Sequence, residues 1–286
     1  MLLPSLAPDA TFAPLVLDSD EPGARRFRMT SALAGMRAGG SHASIHCSGS
    51  AQFSLGAWDD IQQRLGRPSP EALYVLDLRQ ESHGFLDRAA VSWYARHNWG
   101  CVGLAEDEVL RLEALRLLLL ERSEVVWVAD AQAVKAGTGP GLTEWKPGRV
   151  RTEEEALGLC EGHYVRLPVT DHVRPDDTVV DRFVRFTQGL RGEAHLHVHC
   201  RGGKGRTSLF LTLQDLLWNA VDLPLESILE RQRRLNDYDL RKVPPPDSYK
   251  ASFAPERLDL LIRFHGYARA NPGGQPQSWL QYARTG

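Results

Sequence analysis

A chain of 286 residues with 42% hydrophobic content is long enough to bury a full core, which excludes a disordered polypeptide. Its formal net charge of −2 excludes a whole-molecule field that would draw nucleic acid or an anionic surface, so any preference for an anion has to be local. The four cysteines, Cys47, Cys101, Cys160 and Cys200, form no C-x-x-C pair, which argues against a zinc site and a disulfide scaffold and turns attention to a reactive thiol.

Residues 1 to about 50 are rich in Pro, Gly, Ala and Ser and read as an irregular N-terminal wrap containing an extended Phe27-Arg28-Met29-Thr30; residues 51–286 read as the main domain. No basic stretch precedes the first short apolar patch, and no run of about eighteen apolar residues occurs. The sequence therefore predicts a soluble chain with no clear signal peptide and no stable membrane insertion. A helical pattern near 56–65 precedes the β-prone run Tyr74–Leu78, and Glu106 to Arg122 is leucine-rich at helical spacing. From about 121 to 152, short β-branched runs broken by Gly and Pro predict a small β insertion, with Trp93, Trp99 and Trp127 assigned to packing. Helical patterning resumes at Thr152-Glu153-Glu154-Glu155, which has the form of a capping box. A β-prone YVRLPV then leads into Thr170-Asp171-His172, a helix near 176–190, a strand from His195 to Cys200, a glycine turn and an apolar helix over 206–221. Strands followed by helices predict an α/β fold with a mostly parallel central sheet flanked by helices.

The segment VHCRGGKGRTS follows one of these strands, opens a helix, and puts Arg206 six positions after Cys200. That pattern suits a phosphate cradle. Backbone N–H groups from Arg201 to Arg206 would turn toward an oxyanion, Gly202, Gly203 and Gly205 would allow the tight turn, and the helix N-terminus would add its positive end. Arg206 would clamp two phosphate oxygens with its planar fork. The same surroundings favour the thiolate of Cys200, the form that attacks phosphorus. Thr207 is placed to donate its hydroxyl to the sulfur, and His199 to hold the loop through its ring rather than act as a base. A Walker A loop fits poorly, because Lys204 is followed by Gly205 and not by Ser or Thr. A leaving oxygen also needs a proton, and VTDHVRP supplies a donor in Asp171, on a loop after a strand and beside His172. His195, His197 and His199 alternate along one strand, a geometry that rarely converges on one ion, so the sequence implies no metal and no cofactor.

Three blocks, DLRQESHGFLDRAAVSWYARHNW at 77–99, YVRLPVTDHVRP at 164–175 and HCRGGKGRTS, together with RQRR, DSYK and the tail SWLQY, make the chain similar to the protein-tyrosine-phosphatase-like phytases from Phe27 onward. The resemblance implies a core like that of dual-specificity phosphatases with a small inserted partial β-barrel. It implies stepwise, metal-free removal of phosphates from myo-inositol hexakisphosphate through a phosphocysteine, and a small polyanionic partner rather than nucleic acid. Family members are frequently exported, and some are delivered into host cells.

Carried over by matching position, the resemblance makes Cys200 the nucleophile, Arg206 the clamp, Asp171 the acid and His172 a substrate contact. Arg28 in FRMTS matches an arginine that reaches a substrate phosphate, and Lys250, with Lys242 more loosely, falls where substrate-contacting lysines stand. Asp77 and Arg79 open a family block with no role assigned. Arg201 and Lys204 depart from the usual phytase loop and resemble that of phosphoinositide 3-phosphatases; as two extra cations at the pocket wall they favour a polyphosphorylated ring. Arg231, Arg233 and Arg234 read as a solvated helix face. A phosphoinositide or protein tyrosine phosphatase is the enzymatic alternative, although no segment supplies the aromatic wall that phosphotyrosine needs. A non-catalytic phosphate-binding module is the alternative outside enzymes, and it sits badly with a full set of nucleophile, clamp, hydroxyl and acid.

Overall fold

The computed structural model describes residues 13–31, 46–139, 141–190 and 194–285; the parts of the N-terminal wrap at 1–12 and 32–45 lie outside the described residues. In chain order the elements are β1 (Leu15–Ser19), β2 (Arg28–Met29), β3 (His46–Ala51), α1 (Leu55–Arg64), β4 (Leu73–Arg79), β5 (His83–Leu86), β6 (Ala89–Trp93) and α2 (Glu106–Glu121). Then follow β7 (Val126–Asp130), α3 (Ala131–Ala136), β8 (Thr143–Trp145), β9 (Val150–Arg151), α4 (Glu153–Leu157) and β10 (Tyr164–Val169). The chain continues through α5 (Asp177–Gly189), β11 (His195–Cys200), α6 (Gly205–Asn219), α7 (Leu225–Asn236), α8 (Phe253–Ala270) and α9 (Trp279–Ala283).

These elements form two compact units. One takes in the described parts of Met1–Ala24, Gln52–Arg67 and Arg79–Leu159, and the other those of Arg25–Ala51, Pro68–Leu78 and Cys160–Gly286. The first is built on a six-stranded sheet, β8-β7-β1-β6-β5-β9, whose core joins Leu86 and Val91 to Leu117 and Leu120 of α2. Asp87, at φ 56 in the β5–β6 turn, accepts from Trp145 Nε1 and from the backbone N–H groups of Gly148 and Arg149, which pins the β8–β9 connection to the hairpin. This sheet recruits β1, β5 and β6 as well as the strands of 121–152. Trp127, assigned to packing from the sequence, is instead 55% exposed, because it alternates out of the sheet between buried Val126 and Val128.

The second unit carries a five-stranded sheet in the order β10-β4-β11-β3-β2, in which β11 runs parallel to both β3 and β4. Every residue of β11 is buried, as expected of a central strand covered on both faces. Helix α6 is enclosed on nearly all sides, and Arg206 through Leu217 are buried without interruption, polar residues included. Phe183 of α5 meets Phe210 of α6 edge-to-face at 5.0 Å in the middle of this core. Strand β2 falls within the extended Phe27–Thr30 expected from the sequence, whereas β1 and β3 lie in the part of the wrap read as irregular. In β3 the glycine and serines hide the pattern: it is HCSGSA, and its burial comes from its place in the sheet rather than from apolar side chains.

Candidate active site

Cys200 ends β11 and α6 starts at Gly205, so the loop between them lies at the carboxyl edge of the parallel strands, where α/β sheets bind ligands. Gly203 makes that turn possible. It holds φ +64, and a Cβ there would come within 2.4 Å of Ala51 N and 2.7 Å of Ser50 C on the neighbouring strand β3. Of the three glycines expected to allow the tight turn, Gly202 and Gly205 do not have a positive φ. A Cβ at Gly202 meets nothing within 4 Å, and at Gly205 only Tyr238 Oη at 3.9 Å.

The Cys200 side chain is buried, and Thr207 Oγ1 donates to its sulfur at 3.1 Å. Arg206, also buried, donates from Nη1 to the carbonyl of Val169 at 3.1 Å and of Leu78 at 3.3 Å. Those carbonyls lie at the ends of β10 and β4, so the guanidinium is fixed by backbone rather than by the flexible side chains that surround most surface arginines. Asp171 stands two residues beyond β10, with Oδ1 3.4 Å from Arg206 Nε and its carboxyl about a quarter exposed. His172 N donates to the same Oδ1 at 3.1 Å, and His172 Nε2 lies 3.7 Å from Oδ2.

Arg28 reaches this region from β2. Its Nε donates to Asn236 Oδ1 at 2.8 Å, Nη2 to Ser208 Oγ at 3.3 Å and Nη1 to Arg26 O at 3.0 Å. Burial lowers its pKa to about 10, while the charge of Cys200 acts in the opposite direction. The guanidinium stays charged at neutral pH and adds to the field on the sulfur. Asn236 is held in turn by Gln232, whose side chain donates to Asp215, the partner of Arg231. Arg231 therefore departs from the solvated-face reading: it is buried in an ion pair, while Arg233 and Arg234 pair with Glu230.

The alternating histidines of β11 are committed to hydrogen bonds and a carboxylate. Ser50 Oγ donates to Ala51 O, so His197 donates to Ser50 from Nε2 and accepts from Ser48 Oγ at Nδ1. Ser48 then accepts from His195 Nε2 at 3.1 Å. Burial pushes the pKa of His195 down to about 4, so this ring is neutral at neutral pH. His199 is fully buried with Nε2 3.9 Å from Asp77 Oδ1, and Asp77 is anchored by Arg166 at 3.2 Å and Tyr164 Oη at 3.1 Å. That gives Asp77 a place behind the loop. Arg79, two residues on, instead forms a buried cluster with Asp18, Glu81 and Gln52.

A pocket of about 430 Å³ opens on this arrangement. Its wall contains Arg206, Lys204, His172, Lys242 and Lys250, which brings together residues from four separate parts of the sequence. Of the two cations in the loop, Lys204 lines this pocket, while Arg201, earlier in the same loop, is buried at 8% exposure. Tyr238, Asp237, Asp239 and Arg257 also belong to the wall without having stood out in the sequence. Arg257 donates to the carbonyls of Leu240 and Lys242, fastening the segment that carries Lys242. It stands on α8, seven positions beyond Lys250 of DSYK but outside that block, and left no local signal.

Comparison with known proteins adds independent findings. The family model of the protein-tyrosine-phosphatase-like phytases, described by inositol hexakisphosphate, matches residues 76–218. Effector protein hopD2 of Pseudomonas syringae pv. tomato is 33% identical over 213 residues, which are 73% of this chain and 46% of that protein. A PTP-like phytase from Bdellovibrio bacteriovorus superposes with a TM-score of 0.77 at 33% identity, over 95% of this chain and 94% of that one. The PTP-like myo-inositol phosphatase of Mitsuokella multacida, solved in complex with myo-inositol-(1,3,4,5)-tetrakisphosphate, gives a TM-score of 0.81 at 30% identity, over 95% of this chain and 47% of that one. The chain thus spans about half the length of the effector and of the Mitsuokella protein.

Proposed function

We propose, because the chain belongs to the protein-tyrosine-phosphatase-like phytase family, that it is a cysteine-dependent phosphomonoesterase of inositol phosphates, with myo-inositol hexakisphosphate and its lower phosphates as substrates. The observation that carries this reading is the convergence of Cys200, Thr207, Arg206 and Asp171 at one end of the sheet, beside a pocket walled by lysines. Each phosphomonoester brings a charge of about −1.5 to −2 at neutral pH, so Lys204, Lys242 and Lys250 suit a ring bearing several of them. The tetrakisphosphate bound by the Mitsuokella protein supports the same substrate class.

In the first step the Cys200 thiolate attacks phosphorus, the S–P bond forms, and the bond from phosphorus to the ring oxygen breaks as Asp171 gives that oxygen its proton. Arg206 and the loop N–H groups stabilise the charge that builds on the equatorial oxygens. In the second step water attacks the phosphocysteine, Asp171 takes the water's proton, and the P–S bond breaks with Thr207 donating to the departing sulfur. Substrate, Cys200, Asp171 and water supply every atom and proton transferred. The effector among the relatives supports delivery into a host cell as the setting for this activity.

The test is phosphate release by the purified chain from inositol hexakisphosphate, a soluble phosphoinositide and a phosphotyrosine peptide, with Cys200→Ser as the blank. Fast release from inositol hexakisphosphate that vanishes in the blank is expected. Preference for the lipid head group or the peptide would keep the chemistry and overturn the substrate, and full turnover in Cys200→Ser would overturn both.

A further inference from the structure

Tyr249 has no role in the chemistry above, yet it touches two residues of the pocket wall. Its ring meets that of His172 edge-on, with centroids 5.5 Å apart and planes at 78°. Lys250 Nζ lies 5.4 Å from the centroid of the Tyr249 ring. Tyr249 is 38% exposed, so the hydrophobic core does not account for its position, and the ring it meets, that of His172, lines the pocket. His172 holds φ +70, a left-handed conformation uncommon for residues with a Cβ, although histidine adopts it more readily than most. The backbone N–H of this residue is the donor to Asp171 Oδ1, and the same oxygen faces Arg206 Nε. Ring contact, backbone conformation and carboxyl orientation are therefore linked through a single residue.

We propose that Tyr249 is a positioning residue for the general acid: by seating the His172 ring it holds the turn at 171–172 and keeps the Asp171 carboxyl aimed at the leaving oxygen. This rests on the reading of Asp171 as the acid. Tyr249 transfers no proton, and its contribution lies in its ring, so phenylalanine serves in its place. Because Lys250 shares the Tyr249 ring, polyanionic substrates would mix two effects, and simple aryl phosphates separate them.

The experiment measures kcat/KM for a series of aryl phosphates, from dinitrophenyl phosphate, whose leaving group departs unprotonated, to phenyl phosphate, whose leaving group needs the acid. Wild type, Asp171→Asn, Tyr249→Ala and Tyr249→Phe are compared. The dependence on leaving group is expected to be shallow in wild type and Tyr249→Phe and steep in Asp171→Asn. In Tyr249→Ala it is intermediate, with phenyl phosphate about tenfold slower and dinitrophenyl phosphate within about twofold of wild type. A parallel fall across the series in Tyr249→Ala, or no change at all, overturns the positioning role while leaving Asp171 as the acid. A shallow dependence in Asp171→Asn overturns the reading of the acid, and the role of Tyr249 with it.

Discussion

Thr207 illustrates how a single hydroxyl divides the two steps of the reaction. Its hydrogen bond to Cys200 Sγ matters most when the sulfur departs, since the thiolate regains its charge in that step. Thr207→Val keeps the buried shape and removes the donor. It is expected to lower kcat about tenfold while kcat/KM changes less, and to produce a burst of leaving group as phosphocysteine accumulates. Stopped-flow measurement of the first turnover checks this, and equal losses in kcat and kcat/KM would assign the hydroxyl to the attack instead. That Cys200, Arg206 and Thr207 share one loop was legible in the sequence from their type and spacing, and that Asp171 comes to the same place was legible from its position after a strand and beside His172. Tyr238 and Arg257 were not, since a residue brought to a wall by tertiary packing carries no mark of its destination. Arg231 misled for the related reason that its partner, Asp215, lies on the preceding helix and only folding joins them.

At the level of elements, the loop from β11 to α6 depends on the backbone of β3 as much as on its own glycines. Gly203 packs against Ser50 and Ala51, and Ser50 is locked by the hydrogen bonds that run back through His197 and Ser48 to His195. Gly203→Ala adds a Cβ at 2.4 Å from Ala51 N and forces a side chain into the left-handed region. It is expected to cost more than about 1 kcal/mol of stability and to displace the loop, with kcat/KM down by at least about tenfold. Gly202→Ala meets open space and is expected to stay within about 0.5 kcal/mol of wild type. Urea unfolding of the two variants decides, and equal stabilities would remove the steric argument. The long periodic elements α1, α2, α5 and α6 were readable from apolar spacing. Strand β3 was not, because its six residues include two serines, a glycine and an alanine, and the β5–β6 hairpin was hidden within a block read for its resemblance rather than for its alternation.

For the molecule as a whole, a net charge of −2 coexists with a cationic pocket, and part of its acid stability is tied to buried His195. His195 has its pKa lowered to about 4 by burial from an ordinary value of 6.5. The unfolded chain thus binds a proton that the folded chain refuses between these values, so this contribution is fully present above pH 6.5 and lost as pH falls toward 4. The loss amounts to about 3 kcal/mol at most. His195→Gln retains a donor for Ser48 without the titration, and its unfolding free energy is expected to fall less steeply between pH 6.5 and 4 than that of wild type; identical slopes would contradict a buried neutral ring. The division of the chain into two compact units was only partly legible, because the six-stranded sheet draws β1 and the β5–β6 hairpin from outside the 121–152 segment that composition marks.

The covalent intermediate is the central claim, and it is open to direct observation. Wild type and Cys200→Ser are mixed with inositol hexakisphosphate, quenched in acid within the first turnovers, digested and analysed by mass spectrometry for the peptide that contains position 200. A phosphoryl group on Cys200 in wild type, absent from Cys200→Ser together with phosphate release, is the predicted result. Phosphate release by wild type at undiminished rate with a phosphoryl group on another residue, or continued turnover in Cys200→Ser, would contradict it.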